Sequence, residues 1–275
     1  VDLNTISEVV TARDAPDLTA RDAPDLSMWR LGDAWLGGGT WLFSEPQPHL
    51  RRLIDLPSLG WPALTVTDEG LEIAATCTLA ELHAFAAPAG WPAAQLFARA
   101  CRALLGSFKI WNAATVGGNL CLALPAGPMI SLTAALDGVC EIWGATGPRT
   151  LGVRDFVTGP QRNALHPGEL LRSVRLPAAA LRTPAAFRQV SLSPVGRSAA
   201  LLIGRRTAGL ELTVTASVVR PLRLSFATPP AVAELRDAVA AIPADTYHDD
   251  VHGSPAWRRH MTFELAEEIR HELFD

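Results

Sequence analysis

The sequence predicts a mixed α+β/α/β chain in two parts: a larger domain over residues 1–178 and a smaller antiparallel α+β domain over 179–275. Three observations predict it. Up to about residue 178, short β-like runs alternate with segments of helical period. Beyond it, "AFRQVSL", "AALLIG", "LELTVTA" and "PLRLSF" are β-like with no helical pattern between them. Two helical segments then close the chain.

Each element has a local reason. "AWL" reads as a short strand that ends at the glycines of "WLGGGTWLF", and "LIDL" (53–56) as another strand. "LTVT" (64–67) and "LEIAAT" (71–76) flank Asp68-Glu69-Gly70 and read as a hairpin. Thr78 followed by Glu81 forms a capping box that opens a helix through Phe85. "AAQLFARACRALL" (93–105) carries an apolar stripe at Leu96, Ala100 and Leu104, the spacing of a second helix. "ISLTAALDG" (130–138) reads as a helix stopped by Gly138, and "VCEIWG" as a strand after it. The final helix starts with Ser254 as N-cap and Pro255 at its first position. Trp257, Met261, Leu265, Ile269 and Leu273 then recur along one face.

Composition narrows the function classes. At 275 residues the chain suits about two domains of ~150 residues. A net charge of −4 argues against a general binder of nucleic acid or of a membrane surface. No apolar run reaches the ~18 residues that a membrane span needs. Cys77, Cys101, Cys121 and Cys140 are spread singly with no CxxC pair, so neither a zinc nor an iron–sulfur site is expected from this chain. They read as reduced thiols of a cytoplasmic protein. The seven histidines are scattered without metal-ligand spacing. Asp249 and Asp250 before Gly253 read as the turn that leads into the last helix. Residues 11–26 repeat "TARDAPDL" twice, too few copies for a solenoid and rich in turn formers, which fits a surface duplication.

Two glycine clusters are the candidate site. Gly37, Gly38 and Gly39, followed by Thr40 and Trp41, leave a strand with small residues whose amides can converge on an anion. Thr115, Val116, Gly117, Gly118 and Asn119 are read as a second such cradle, and a diphosphate would use both. Neither cluster is GxGxxG or GxxxxGK[ST], which disfavours a Rossmann dinucleotide site and a P-loop. The tryptophans are read mostly as core or partner contacts, with Trp41 and Trp111 as candidates for stacking on a bound ring because they flank the clusters.

Taken together, "LGGGTWLF" and "GSFKIWNAATVGGNLCLALPAG" resemble the FAD-binding medium subunit of the molybdenum hydroxylases, the xanthine dehydrogenase and carbon monoxide dehydrogenase family. "DFVTGPQRNALHPGELLRSVRLP" (155–177) is similar to the end of that family's FAD domain, and "DDVHGSPAWRRHM" (249–261) to the signature of its C-terminal domain. The resemblance implies a two-lobed FAD-binding fold of the vanillyl-alcohol-oxidase-like (PCMH) type, followed by a C-terminal domain of the carbon monoxide dehydrogenase flavoprotein type. It implies FAD held by Gly37, Gly38, Gly39, Thr40 and Trp41 and by Thr115, Val116, Gly117, Gly118 and Asn119, mostly through backbone amides. It also implies electrons arriving from the [2Fe–2S] clusters of one partner and the molybdopterin centre of a large subunit, and leaving to NAD⁺, oxygen or another acceptor. The sequence departs from the family pattern at Trp41, at Trp111 where Arg is usual, and at Pro128 where Asp is common. These changes leave the glycines intact and bear on side-chain contacts. No acid–base pair or activated nucleophile is legible, which fits an electron-transfer subunit. Two other classes remain open at this point. A stand-alone flavin oxidase or reductase of the same fold needs its own substrate acid and base. A flavin-free assembly protein would be colourless.

Overall fold

The computed structural model describes residues 5–12 and 26–275. Most of the tandem octad therefore lies outside the described residues. Three parallel strands open the fold: β1 (Glu8–Thr11), β2 (Asp33–Leu36) and β3 (Arg52–Asp55), in the order β1-β3-β2. Arg52 and Asp33 pair between β3 and β2, Nε to Oδ1 at 3.0 Å, with both side chains nearly buried. That pair fixes the strand from which the first glycine cluster departs.

The hairpin forms as expected, as β4 (Leu64–Thr67) and β5 (Gly70–Ala74). The helices that follow are α1 (Leu79–Ala84), α2 (Gln95–Ala103), α3 (Phe108–Trp111), α4 (Val116–Leu122) and α5 (Pro128–Ala135). Both halves of the Thr78–Glu81 capping box are present. Helix α5 starts earlier than the sequence predicts because Pro128 occupies its first turn, where a missing N–H costs nothing. Strands β6 (Val139–Gly144) and β7 (Gly147–Gly152), helix α6 (Val153–Phe156), the small pair β8 (Val157–Gly159) and β9 (Arg162–Asn163), and β10 (Leu170–Pro177) come next. A five-stranded antiparallel sheet results, in the order β4-β5-β10-β6-β7.

After α7 (Ala178–Leu181), strands β11 (Ala185–Val190), β12 (Ala200–Arg206), β13 (Leu210–Thr215) and β14 (Leu222–Phe226) form a four-stranded antiparallel meander. Helices α8 (Val232–Ala240) and α9 (Pro255–Phe274) follow, and α9 packs on β11 and β12. Leu265, Ile269 and Leu273 of the predicted stripe are buried there, and Met261 packs against the same cluster.

The four-stranded sheet and the rest of the molecule share packing. Every residue of α5 is buried, with α2, α4 and α6 on some sides and β12 and β13 on another. A helix enclosed in this way has no polar face, which is why "ISLTAALDG" lacks amphipathic contrast. Ser131 of α5 bonds Thr215 of β13, hydroxyl to hydroxyl at 2.6 Å in the interior. Just beyond α5, Asp137 pairs with Arg205 and Arg223 of the four-stranded sheet, two arginines whose side chains are 6% and 11% exposed. Two predicted tryptophan contacts are structural: Arg172 lies over the rings of Trp61 (4.2 Å) and Trp143 (5.4 Å).

Candidate functional site

The strand β2 delivers the first cluster to the mouth of a cleft of about 790 Å³, within the range of small-molecule sites. Gly37, Gly38, Gly39, Thr40 and Trp41 all line it. The chain there needs glycine for two different reasons. Gly39 has φ +69, the left-handed region. Gly38 lies against the Ala113 backbone, where an added Cβ would sit 1.4 Å from the carbonyl oxygen. Gly37 approaches the second cluster, since a Cβ on it would meet Thr115 Oγ1 at 3.1 Å. The two clusters therefore touch.

The second cluster is not a loop. Thr115 is the N-cap of α4, and Thr115 Oγ1 accepts from the Gly118 amide at 2.9 Å. The amides of Val116–Asn119 are consumed: besides that of Gly118, Val116 donates to Cys77 O (2.8 Å), Gly117 to Ala75 O (2.9 Å) and Asn119 to Thr115 O (3.0 Å). This corrects the reading of Thr115–Asn119 as a second cradle of open N–H groups. Thr115, Gly118 and Asn119 line the cleft, whereas Val116 and Gly117 are buried behind it. Gly117 is needed for packing, because its Cβ would meet Ala75 within 2.5 Å. Asn119 Oδ1 accepts from the Met129 amide at 3.0 Å, so the side chain holds α4 to the start of α5 and leaves its amide nitrogen as a donor.

The first cluster differs. Among the described residues, none of the successive amides from Gly37 to Leu42 donates to a protein acceptor; the next donor is Phe43, to Gly39 O at 2.8 Å. Partly buried amides without acceptors are costly unless a ligand or water supplies one. A run of them beside a cleft has the donors that an anion requires.

The walls are fixed by polar contacts. Trp35 Nε1 donates to Glu169 O at 3.0 Å, and the Glu169 carboxylate accepts from Arg149 Nε at 2.8 Å and from the His166 amide at 2.8 Å. The Arg149 guanidinium outweighs partial burial and, with His166, brings the Glu169 carboxyl down to about 2. Cys121 also lines the cleft, and burial pushes its thiol up to about 12, so it stays protonated at neutral pH. Of the two stacking candidates, Trp41 is on the cleft and Trp111 is not. Trp111 sits on α3 with its ring 5.0 Å from that of His83 and its Nε1 donating to Leu104 O. Pro128 lines the cleft as the first residue of α5.

Sequence reasoning missed one wall altogether. Val195, Arg197 and Ser198, from the connection between β11 and β12, and His252, from the turn before α9, also line the cleft. The turn itself matches expectation: the fully buried Arg258 ties Asp250 and the Gly253 carbonyl together. Arg197 sits in the connection between two β-like segments, and the lone Pro194 and Gly196 beside it signal a turn rather than a ligand site.

A strand-end amide run facing a largely apolar cleft has the chemistry to receive an anionic ligand that also carries apolar surface. The family model described as "FAD binding domain in molybdopterin dehydrogenase" matches residues 31–179. The chain belongs to that family, and its cofactor is FAD. It is similar to the carbon monoxide dehydrogenase medium chain of Afipia carboxidovorans, 28% identical over 127 residues, which are 46% of this chain and 43% of that one. It is also similar to a xanthine dehydrogenase of Oryza sativa subsp. japonica, 32% identical over 121 residues, 42% of this chain and 9% of that one. The chain thus matches less than half the length of either relative. The fold is similar to that of a reconstituted CO dehydrogenase from Oligotropha carboxidovorans, with TM-score 0.80 and 19% identity over 98% of this chain and 97% of that one. A quinoline 2-oxidoreductase from Pseudomonas putida 86 shares it at TM-score 0.74 and 16% identity, over 98% and 96% of the two chains.

Proposed function

We propose that this chain is the FAD-binding electron-transfer subunit of a molybdopterin-dependent hydroxylase or dehydrogenase. The observation that carries the reading is the run of unengaged amides from Gly37 to Leu42 on a cleft with no carboxylate among its described lining residues, in a chain of an FAD-binding family. Residues 1–178 are the two-lobed FAD-binding domain of the PCMH type, and 179–275 the C-terminal domain of the carbon monoxide dehydrogenase flavoprotein type.

In this reading Gly37, Gly38, Gly39, Thr40 and Trp41 receive FAD through their backbone, and the Trp41 ring offers an apolar face. Thr115, Gly118 and Asn119 form the adjoining wall, with the Asn119 amide nitrogen as a donor, while Val116 and Gly117 hold that wall against β5. Bound FAD supplies one- and two-electron chemistry, which suits exchange with one-electron [2Fe–2S] clusters on one side and a two-electron acceptor on the other. The chain's own residues bind, orient and shield it. Among the described residues of the cleft lining there is no pair of acid and base poised for a substrate: His252 is the one histidine, and no carboxylate accompanies it in that lining. The partners are a molybdopterin-binding large subunit and a [2Fe–2S] subunit or domain, the acceptor is NAD⁺, oxygen or another oxidant, and the complex is cytoplasmic. Among the described residues no helix is long and apolar enough to cross a membrane.

Anaerobic mixing of the purified, FAD-loaded chain with purines, aldehydes and N-heterocycles tests this. The flavin stays oxidised with every substrate, is bleached by dithionite, and recovers its absorbance on addition of an acceptor. Rapid bleaching by one of the substrates without a partner present would instead make the chain a stand-alone oxidase.

A further inference from the structure

The charge of the cleft assigns a role to a side chain that no motif singled out. Among the described residues that line the cleft, Arg197 is the sole formal cation, and there is no carboxylate. Arg197 lies in the exposed connection between β11 and β12. Among the described residues its guanidinium has neither an ion pair nor a hydrogen bond. His252 lines the same cleft with its ring likewise unengaged, while its backbone amide donates to Asp250 Oδ1 at 2.8 Å. Asp250 is in turn held by the buried Arg258, so the position of His252 is set by the core.

An unpaired arginine beside apolar walls gives the cleft a positive potential that water screens only in part. The amides divide unevenly as well. Those of Val116–Asn119 are consumed inside the protein, whereas those of Gly37–Leu42 are not. A dinucleotide brings two negative charges at its diphosphate, and a second donor set is needed on another wall. We propose that Arg197, with His252 on the same cleft, is the side-chain counter-charge for an anionic group of the bound FAD. This rests on FAD occupying the cleft as described above. Two parts of the cofactor share the required chemistry, the diphosphate and the ring system once it is reduced, and the experiment separates them.

The flavin is removed from wild type, Arg197→Gln, His252→Gln and Arg154→Gln, and each apoprotein is titrated with FAD and with riboflavin, which lacks phosphate. The midpoint potential of each FAD-loaded protein is then measured. Arg154 is exposed on α6 and does not line the cleft, so its variant controls for the loss of one positive charge. If the diphosphate is the partner, Arg197→Gln weakens FAD binding about ten-fold or more, as for the loss of a charge-assisted hydrogen bond, and leaves riboflavin binding unchanged. If the reduced ring is the partner, oxidised FAD binds as tightly as before and the potential of the Arg197→Gln protein falls. His252→Gln shifts the same quantity in the same direction by less. An Arg197→Gln protein that matches both wild type and Arg154→Gln in FAD affinity and in potential overturns the proposal. A wild-type chain that takes up no FAD overturns the functional reading and this inference with it.

Discussion

Replacing Gly38 by alanine should separate the two halves of the site. The added Cβ would lie 1.4 Å from the Ala113 carbonyl oxygen and 2.4 Å from its carbon. An ordinary contact needs about 3.4 Å, so the backbones must part by about 2 Å. Both partners are main chain, and no side-chain rotation relieves the clash. Overpacking typically costs 1–3 kcal/mol, and a clash of backbone on backbone belongs at about 3 kcal/mol or above. The same shift exceeds the distance tolerance of a hydrogen bond, so the amides of Gly37–Leu42 lose their alignment on the cofactor. Gly118→Ala is the comparison. Its Cβ would meet one atom, Thr115 Oγ1 at 2.9 Å. Loss of that cap costs about 1 kcal/mol, and the gain in helix propensity returns about as much. Urea unfolding of the apoproteins and fluorescence titration with FAD read both effects. Gly38→Ala should unfold at clearly lower urea and bind FAD at least about ten-fold more weakly, with Gly118→Ala close to wild type in stability. A Gly38→Ala protein with wild-type stability and FAD affinity would refute the close approach of the first cluster to Ala113.

Three further outcomes are expected. Gly118→Asp should abolish FAD binding with little loss of fold, because it puts a carboxylate into a cleft that has none among its described lining residues; normal FAD occupancy would remove Gly118 from the site. Asp137→Asn, a residue type that tolerates the left-handed φ of +54 there, should leave Arg205 without an ion pair and Arg223 with Glu211 alone, and destabilise the chain by about 3 kcal/mol in urea unfolding. That is the low end for a buried pair, since Asp137 is 37% exposed, and an unchanged midpoint would show that the cluster contributes nothing. Glu169 gives a pH signature. Its folded value of about 2 lies below its ordinary 4.5, so the folded state binds this proton more weakly than the unfolded state. Its stabilisation is complete above about pH 4.5 and is lost as pH falls towards 2. The stability gap between wild type and Glu169→Gln should therefore close over that window, and a gap of constant size would place its origin elsewhere.

Strands and helices with strong local signals were legible in the sequence. The Thr78–Glu81 capping box, the β4–β5 hairpin and the Ser254-Pro255 start of α9 all depend on neighbouring residues, and each formed where those residues predict. Helix α4 was not legible, because two glycines cost about 1 kcal/mol each in a helix and so read as a loop. The available signal was Thr115, an N-cap placed directly before Val116. Tertiary contacts make up the difference, through the Val116 and Gly117 amides on Cys77 and Ala75. Of the candidate site, the first cluster could be read from its strand and glycines. The contribution of Arg197 and His252 could not, since both reach the cleft through the packing of the four-stranded sheet and α9, far along the chain from either cluster. Trp111 shows the converse: nearness in sequence to Thr115 placed it at the site, whereas its ring turns to His83.

The most direct test of the central claim is the flavin content of the purified chain. After saturation with FAD and removal of excess, the protein should carry one FAD per chain. Acid precipitation should release it intact into the supernatant, because the cysteine on the cleft, Cys121, is held protonated by burial and offers no thiolate for attachment. A chain that retains no flavin, takes up FMN in place of FAD, or keeps its yellow colour in the acid pellet would contradict the account.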